Sequence, residues 1–188
     1  MMRSCTGVTL MEVLVGLVVG LGALAALTAL VAGSLTAGAR AGAGAEAVAA
    51  IAGAVDQIVR DVRVAGYDPR ESGLDGLSAL APASLVLQAD LDADGTIDGS
   101  SEERITYRPS VATGNLLRIV GTQSMPLLSD LTPGGFRLRY FDATGGELDP
   151  TTPAAADAIR EITVDLQTRS SGTIPGVHMG GGARLLNR

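Results

Sequence analysis

The sequence predicts an α+β protein in which one long N-terminal helix, apolar in its first half, packs on an antiparallel β-sheet. Three observations predict it. From Val13 to Ala39 there are 27 consecutive uncharged residues, more than the roughly 20 that span a bilayer core as a helix. Val48, Ile51, Val55, Ile58, Val62 and Ala65 then recur at spacings of three and four, which is one apolar stripe of a helix. From Ser84 onward a period of two replaces that pattern, as half-buried strands require.

The two helical stretches join into one helix of 58 residues, Val8 to Ala65. Backbone groups in lipid must bond within the segment, so a single span is helical. Arg60, Asp61 and Arg63 lie off the apolar stripe, and Asp56 is placed to pair with Arg60 at i,i+4. Glycines between Gly33 and Gly53 weaken the helix by about 1 kcal/mol each relative to alanine, which allows a bend or partly melted stretch there. Gly66 and then Pro69 stop it. Gly16 with Gly20, and Gly38 with Gly42, are small-xxx-small pairs that let helices approach closely.

Residues 84–89, 104–108, 116–121, 136–141 and 161–168 read as strands, and the tail 183–188 as a last edge strand. Within FRLRYF, Phe136, Leu138 and Tyr140 share one face and Arg137 and Arg139 the other. Ile162, Val164 and Leu166 alternate with Thr163, Asp165 and Gln167. The apolar face of such a sheet takes the stripe of the long helix. Pro126, Pro133 to Gly135, Gly145 with Gly146, and Pro150 to Pro153 mark turns.

Composition narrows the function. Tryptophan is absent and aromatics are 3%, so the soluble part is small and rich in loops. The net charge of −6 argues against a nucleic-acid partner, which needs a basic face. One cysteine, Cys5, and one histidine, His178, exclude an intrachain disulfide, a His/Cys metal cluster, and any Ser-His-Asp triad not built on His178. His178 sits in a glycine-rich stretch and reads as a surface residue. No catalytic residues are assigned, and the chain is read as not an enzyme.

Between Cys5 and Ser34 the one charge is Glu12, at the mouth of the apolar run. A cleaved secretory signal has an apolar run of only about 7–15 residues, shorter than this one. A plain anchor leaves Glu12 unexplained, because a carboxylate in the bilayer is costly. The stretch GVTLMEVLVGL, Gly7 to Leu17, resembles the cleavage signal of type IV prepilins and type II secretion pseudopilins. Gly7, Thr9, Leu10 and Glu12 match that pattern, while Val8 stands where the family usually has phenylalanine. RDVRVAGYDP, Arg60 to Pro69, is similar to the end of the long helix in PilW-type minor pilins, and the tail ARLLNR is similar to their ending. GspJ-like minor pseudopilins are the near alternative.

The resemblance implies a type IV pilin-like fold: a leader at 1–7, a transmembrane or filament-core helix at 8–39, its soluble half at 40–67, and a β-sheet domain at 68–188. It implies cleavage between Gly7 and Val8 by a prepilin peptidase, which also removes Cys5, and N-methylation of Val8. Glu12 then pairs with the Val8 amine of a neighbouring subunit, since a buried carboxylate needs a partner. The implied setting is the inner membrane, single-pass with the C-terminal domain periplasmic, and a pilus after assembly with other minor and major pilins.

The loop DLDADGTIDGSSEE, 90–103, allows a separate reading. Asp90, Asp92, Asp94 and Asp98 fall at positions 1, 3, 5 and 9 of a calcium loop, with Gly95 at 6. Position 12 is Ser101 rather than glutamate, and no helices flank the loop. An EF-hand is therefore not expected. A calcium-binding turn of another kind and a solvated acidic turn both remain open, and a calcium-dependent adhesive or sensory domain on an anchor is the alternative from another functional class.

Overall fold

The computed structural model describes residues 9–152, 155–172 and 174–187. The fold is α+β, with a long N-terminal helix and antiparallel β-structure, consistent with a pilin-like arrangement. The chain divides into two compact units, Met1–Ala43 and Gly44–Arg188. Helix α1, Leu10–Val64, supplies all of the described regular structure of the first unit and the helical layer of the second. Helical residues continue without a gap through Gly33 to Gly53, so no melted stretch forms.

In the first unit the helix surface is apolar and open. Leu14, Leu21, Leu24, Leu27 and Leu30 are all more than half exposed. A β-carbon added at Gly16, Gly20, Gly38 or Gly42 meets nothing within 4 Å. The expected close-approach faces are thus free of contacts.

In the second unit the stripe read from the sequence does the packing. Ile51, Val55, Ile58, Val62 and Ala65 are buried, joined by Ala54, while Val48 stays 45% exposed. The helix ends at Gly66, whose φ of +78° suits glycine at a helix C-terminus. The Gly66 N–H donates to the Gln88 carbonyl at 2.9 Å. Asn187 Nδ2 donates to the last carbonyls of the helix, Arg63, Val64 and Ala65, at 3.3 to 3.5 Å.

The strands form two antiparallel sheets. The first is a meander in the order β1 (Leu77–Ala81), β2 (Ser84–Gln88), β3 (Arg104–Ser110), β4 (Asn115–Val120), β5 (Gln123–Leu128). The second comprises β6 (Leu131–Phe141), β7 (Glu147–Leu148), β8 (Glu161–Thr168) and β9 (His178–Arg184), ordered β7-β6-β8-β9, with a short helix α2 (Ala155–Ala158) before β8. Leu85, Tyr107 and Leu116 from the first sheet and Phe136, Leu138, Tyr140, Ile162, Val164 and Leu166 from the second join one core with the α1 stripe. The sheets are stitched where the Leu138 N–H donates to Pro82 O at 2.8 Å and Tyr140 Oη donates to Ala81 O at 2.9 Å.

Three features depart from the sequence expectations. β5 contains Pro126 and is still a strand, because it is the sheet's edge and the missing N–H breaks no ladder. Pro133 to Gly135 lie inside β6, where the register with β8 shifts between Leu131 and Phe136, instead of ending it. The last strand runs His178–Arg184, not 183–188. Its glycines fit close neighbours: a β-carbon at Gly181 would stand 2.5 Å from Val55 Cγ1, and one at Gly180 2.6 Å from Asp165 Oδ1.

Candidate functional site

The N-terminal candidates divide at the edge of the described residues. Gly7 and Val8, the expected cleavage pair, lie outside them. Thr9 and Glu12 open α1 as a reciprocal cap. Thr9 Oγ1 accepts the Glu12 N–H at 3.3 Å, and Glu12 Oε2 accepts the Thr9 N–H at 2.9 Å and the Thr9 hydroxyl at 3.0 Å. This is the capping-box arrangement, which satisfies amide donors that a helix start leaves orphaned. The carboxylate also sits at the positive end of the helix dipole. Glu12 Oε1 accepts no hydrogen bond among the described residues, so one oxygen is left over. α1 is long and apolar enough to cross a membrane, and its most apolar window is wholly exposed.

The acidic loop is built by its own carboxylates. β2 and β3 pair Gln88 with Arg104, and the Ala89 N–H donates to Glu103 O at 3.0 Å, so the two ends of the loop face each other. Asp90 and Glu103 are buried, at 0% and 4% exposure. Asp90 Oδ1 accepts from the Asp94 N–H and Oδ2 from the Gly95 N–H, at 3.1 and 3.0 Å. Glu103 Oε1 accepts from the Leu91 and Asp92 N–H groups, and Oε2 from the Asp98 N–H at 2.8 Å. Gly95 and Ala93, at φ +86° and +61°, let the chain curl around them.

Asp90, Asp92 and Glu103 each bring one oxygen within 4.8 Å of the others, and these three are able to hold a metal ion. Oxygen-only ligands suit a hard cation, and two oxygens on calcium at about 2.3–2.6 Å fit that spread. Asp94 and Asp98 face elsewhere: Asp94 Oδ1 takes the Thr96 N–H and hydroxyl, and Asp98 Oδ1 takes those of Ser100. These bonds hold both carboxyls below their usual range. The Asp98 N–H bond, helped by those of Asp92 and Leu91 against desolvation, does the same for Glu103. For Asp92 the Asp94 N–H favours the carboxylate, but desolvation and the charges of Asp94, Glu103 and Asp90 outweigh it and raise its pKa. A cation would relieve that crowding.

Glu103 was missed by loop counting because it falls at position 14. The strand pairing brings it in, since it precedes β3 directly opposite the end of β2. Also missed was a cluster under the helix. Asp61, off the apolar stripe, is not on a solvated face: its Oδ2 accepts the Tyr107 hydroxyl and the Arg118 Nε–H, the latter at 2.8 Å. Its Oδ1 accepts from Gln57 at 3.0 Å. Burial first, and then the Asp61 carboxylate, push the Tyr107 phenol upward, so it stays a donor. Tyr107 and Arg118 are register partners on β3 and β4. Arg60 donates to Gln57, at 2.8 Å, in place of the expected pairing with Asp56. His178 is exposed on β9, its Nε2 3.6 Å from Asp165 Oδ1.

No protein-family model matches the chain, and no curated protein matches it either.

Proposed function

We propose that this chain is a minor pilin-like subunit, processed by a prepilin peptidase at Gly7–Val8, N-methylated at Val8, and drawn from the inner membrane into a pilus. The observation that carries the reading is the first half of α1: an uncharged apolar surface, exposed along its length and opened by Thr9 and Glu12. Such a surface needs a cover. Lipid covers it before assembly and the helices of other minor and major pilins cover it afterwards, which is the transfer a pilin makes. In this role the spare Glu12 oxygen meets the methylated amine of a neighbour. A pseudopilin of a secretion system uses the same residues, and neighbouring genes distinguish the two.

The cap gives Glu12 a second role, so the test must separate them. Glu12→Gln keeps the capping box, because glutamine also serves at that position, but removes the charge. The expected result is a chain that is cleaved and inserted yet absent from sheared pili. Normal incorporation of the glutamine variant would sink the ion-pair role. Mass spectrometry of the mature chain tests the reading as a whole: it is expected to begin at a methylated Val8, and a chain beginning at Met1 or after the apolar run ends it.

The triad Asp90, Asp92 and Glu103 favours a second reading, a calcium-dependent adhesive or sensory domain on an anchor. Calcium is the metal proposed for it. Calorimetry is expected to show calcium binding that fades as pH falls and the carboxylates protonate; no heat and no change in melting at millimolar calcium would end it. Under this second reading Glu12→Gln leaves surface function intact while Asp90→Asn abolishes it, the reverse of the pilin expectation.

A further inference from the structure

The C-terminal end of α1, the end of β2 and the start of β3 enclose a cleft of about 270 Å³, which shares Glu103 with the acidic triad but whose apolar interior neither reading above uses. Its walls are apolar: Val64, Ala65, Leu87, Ala89, Leu91 and Ile105. Ala65 and Leu87 are part of the buried core, whereas Val64 and Leu91 are 46% and 47% exposed. The volume is below the roughly 300–1,000 Å³ of small-molecule sites, and it has room for one or two side chains.

The remaining lining residues set the charge. Apart from the neutral Gln88 they are Asp61, Glu102, Glu103 and Arg118, three carboxylates against one guanidinium. Asp61 and Arg118 neutralise each other at 2.8 Å, which leaves the glutamates. Residues 90–103 add Asp90, Asp92, Asp94 and Asp98 and contain no base. Arg70 acts on Asp94, and Arg104 follows the loop directly and lies by Gly99; two cations do not offset six carboxylates. The cleft is therefore an apolar socket beside a negative edge.

From this juxtaposition we infer that the cleft receives an aliphatic side chain flanked by arginine or lysine on a partner protein. The aliphatic group covers Val64 and Leu91, and the cation meets Glu102 at the rim. A partner segment with acids around its apolar residue is repelled, which makes the rim a selector of partners. The inference does not depend on the pilus reading, because it uses only the second unit.

Methyl NMR on the full chain in lipid nanodiscs, with chelator present, tests it using three peptides: acetyl-Arg-Leu-Arg-amide, acetyl-Gln-Leu-Gln-amide and acetyl-Glu-Leu-Glu-amide. The arginine peptide is expected to move the methyls of Val64, Leu87, Leu91 and Ile105 at millimolar concentration, with weak effects from glutamine and none from glutamate. Glu102→Arg, at an exposed turn position, is expected to weaken the arginine peptide several-fold without disturbing the rest of the spectrum. Leu91→Ser is expected to weaken it without changing charge. No shift at these methyls, equal binding of the three peptides, or shifts untouched by both variants would overturn the inference.

Discussion

Asp61 holds three donors with one carboxylate: Gln57 on Oδ1, Tyr107 and Arg118 on Oδ2. Its side chain is 12% exposed and that of Arg118 19%, so neither charge can turn fully to water. Removing the acid leaves a cation and a phenol without their acceptor. Asp61→Ala is therefore expected to cost about 2–3 kcal/mol, somewhat less than a fully buried pair, and Tyr107→Phe about 1 kcal/mol. Urea unfolding in detergent micelles measures both. Glu103 gives a pH effect instead. Its pKa is lowered on folding, so its contribution is present above the unfolded value of about 4.3 and is lost as pH falls through the lower folded one. Glu103→Gln is expected to flatten the loss of stability as pH falls below about 4.3, as read by melting scans in acid. The Asp61 cluster was not legible in the sequence, where Asp61 is simply a polar residue off the stripe. Only the β3–β4 register, which pairs Tyr107 with Arg118, brings the partners beneath it.

At the scale of elements, periodicity carried most of the reading. From Ile51 onward the α1 stripe is buried as spaced, and β6 and β8 alternate as written. Local residue preference failed at β5 and β9, for opposite reasons. Proline survives in β5 because an edge strand has one side without partners. Glycine in β9 is a packing requirement: Gly181 leaves room for Val55, a contact no strand propensity contains. Gly181→Ala is expected to destabilise by about 1–3 kcal/mol through overpacking. It should also speed amide exchange in β9 before other strands, and hydrogen exchange with mass spectrometry resolves that order. The acidic triad was half legible. Asp90 and Asp92 stood in a recognisable loop spacing, but Glu103 joins them through strand pairing rather than through loop position.

For the whole molecule, one chain presents two solvent problems: an apolar helix surface to be covered, and a domain of net acidic character. At the middle of the uncharged run, Leu27→Arg is expected to lower membrane integration by about 2.5–3.5 kcal/mol, read as the fraction extracted by alkaline carbonate. The second unit has its own core and should keep its strand signals in that variant. The contact from Asn187 to the carbonyls of Arg63, Val64 and Ala65 bridges 122 to 124 positions. In the order of synthesis, the last turn of α1 is made early and receives this cap late. A ribosome must add more than a hundred further residues before that helix end is secured. The apolar segment therefore leaves the ribosome while the turn at Val64 is still unfinished, and closure of the domain waits for the end of the chain.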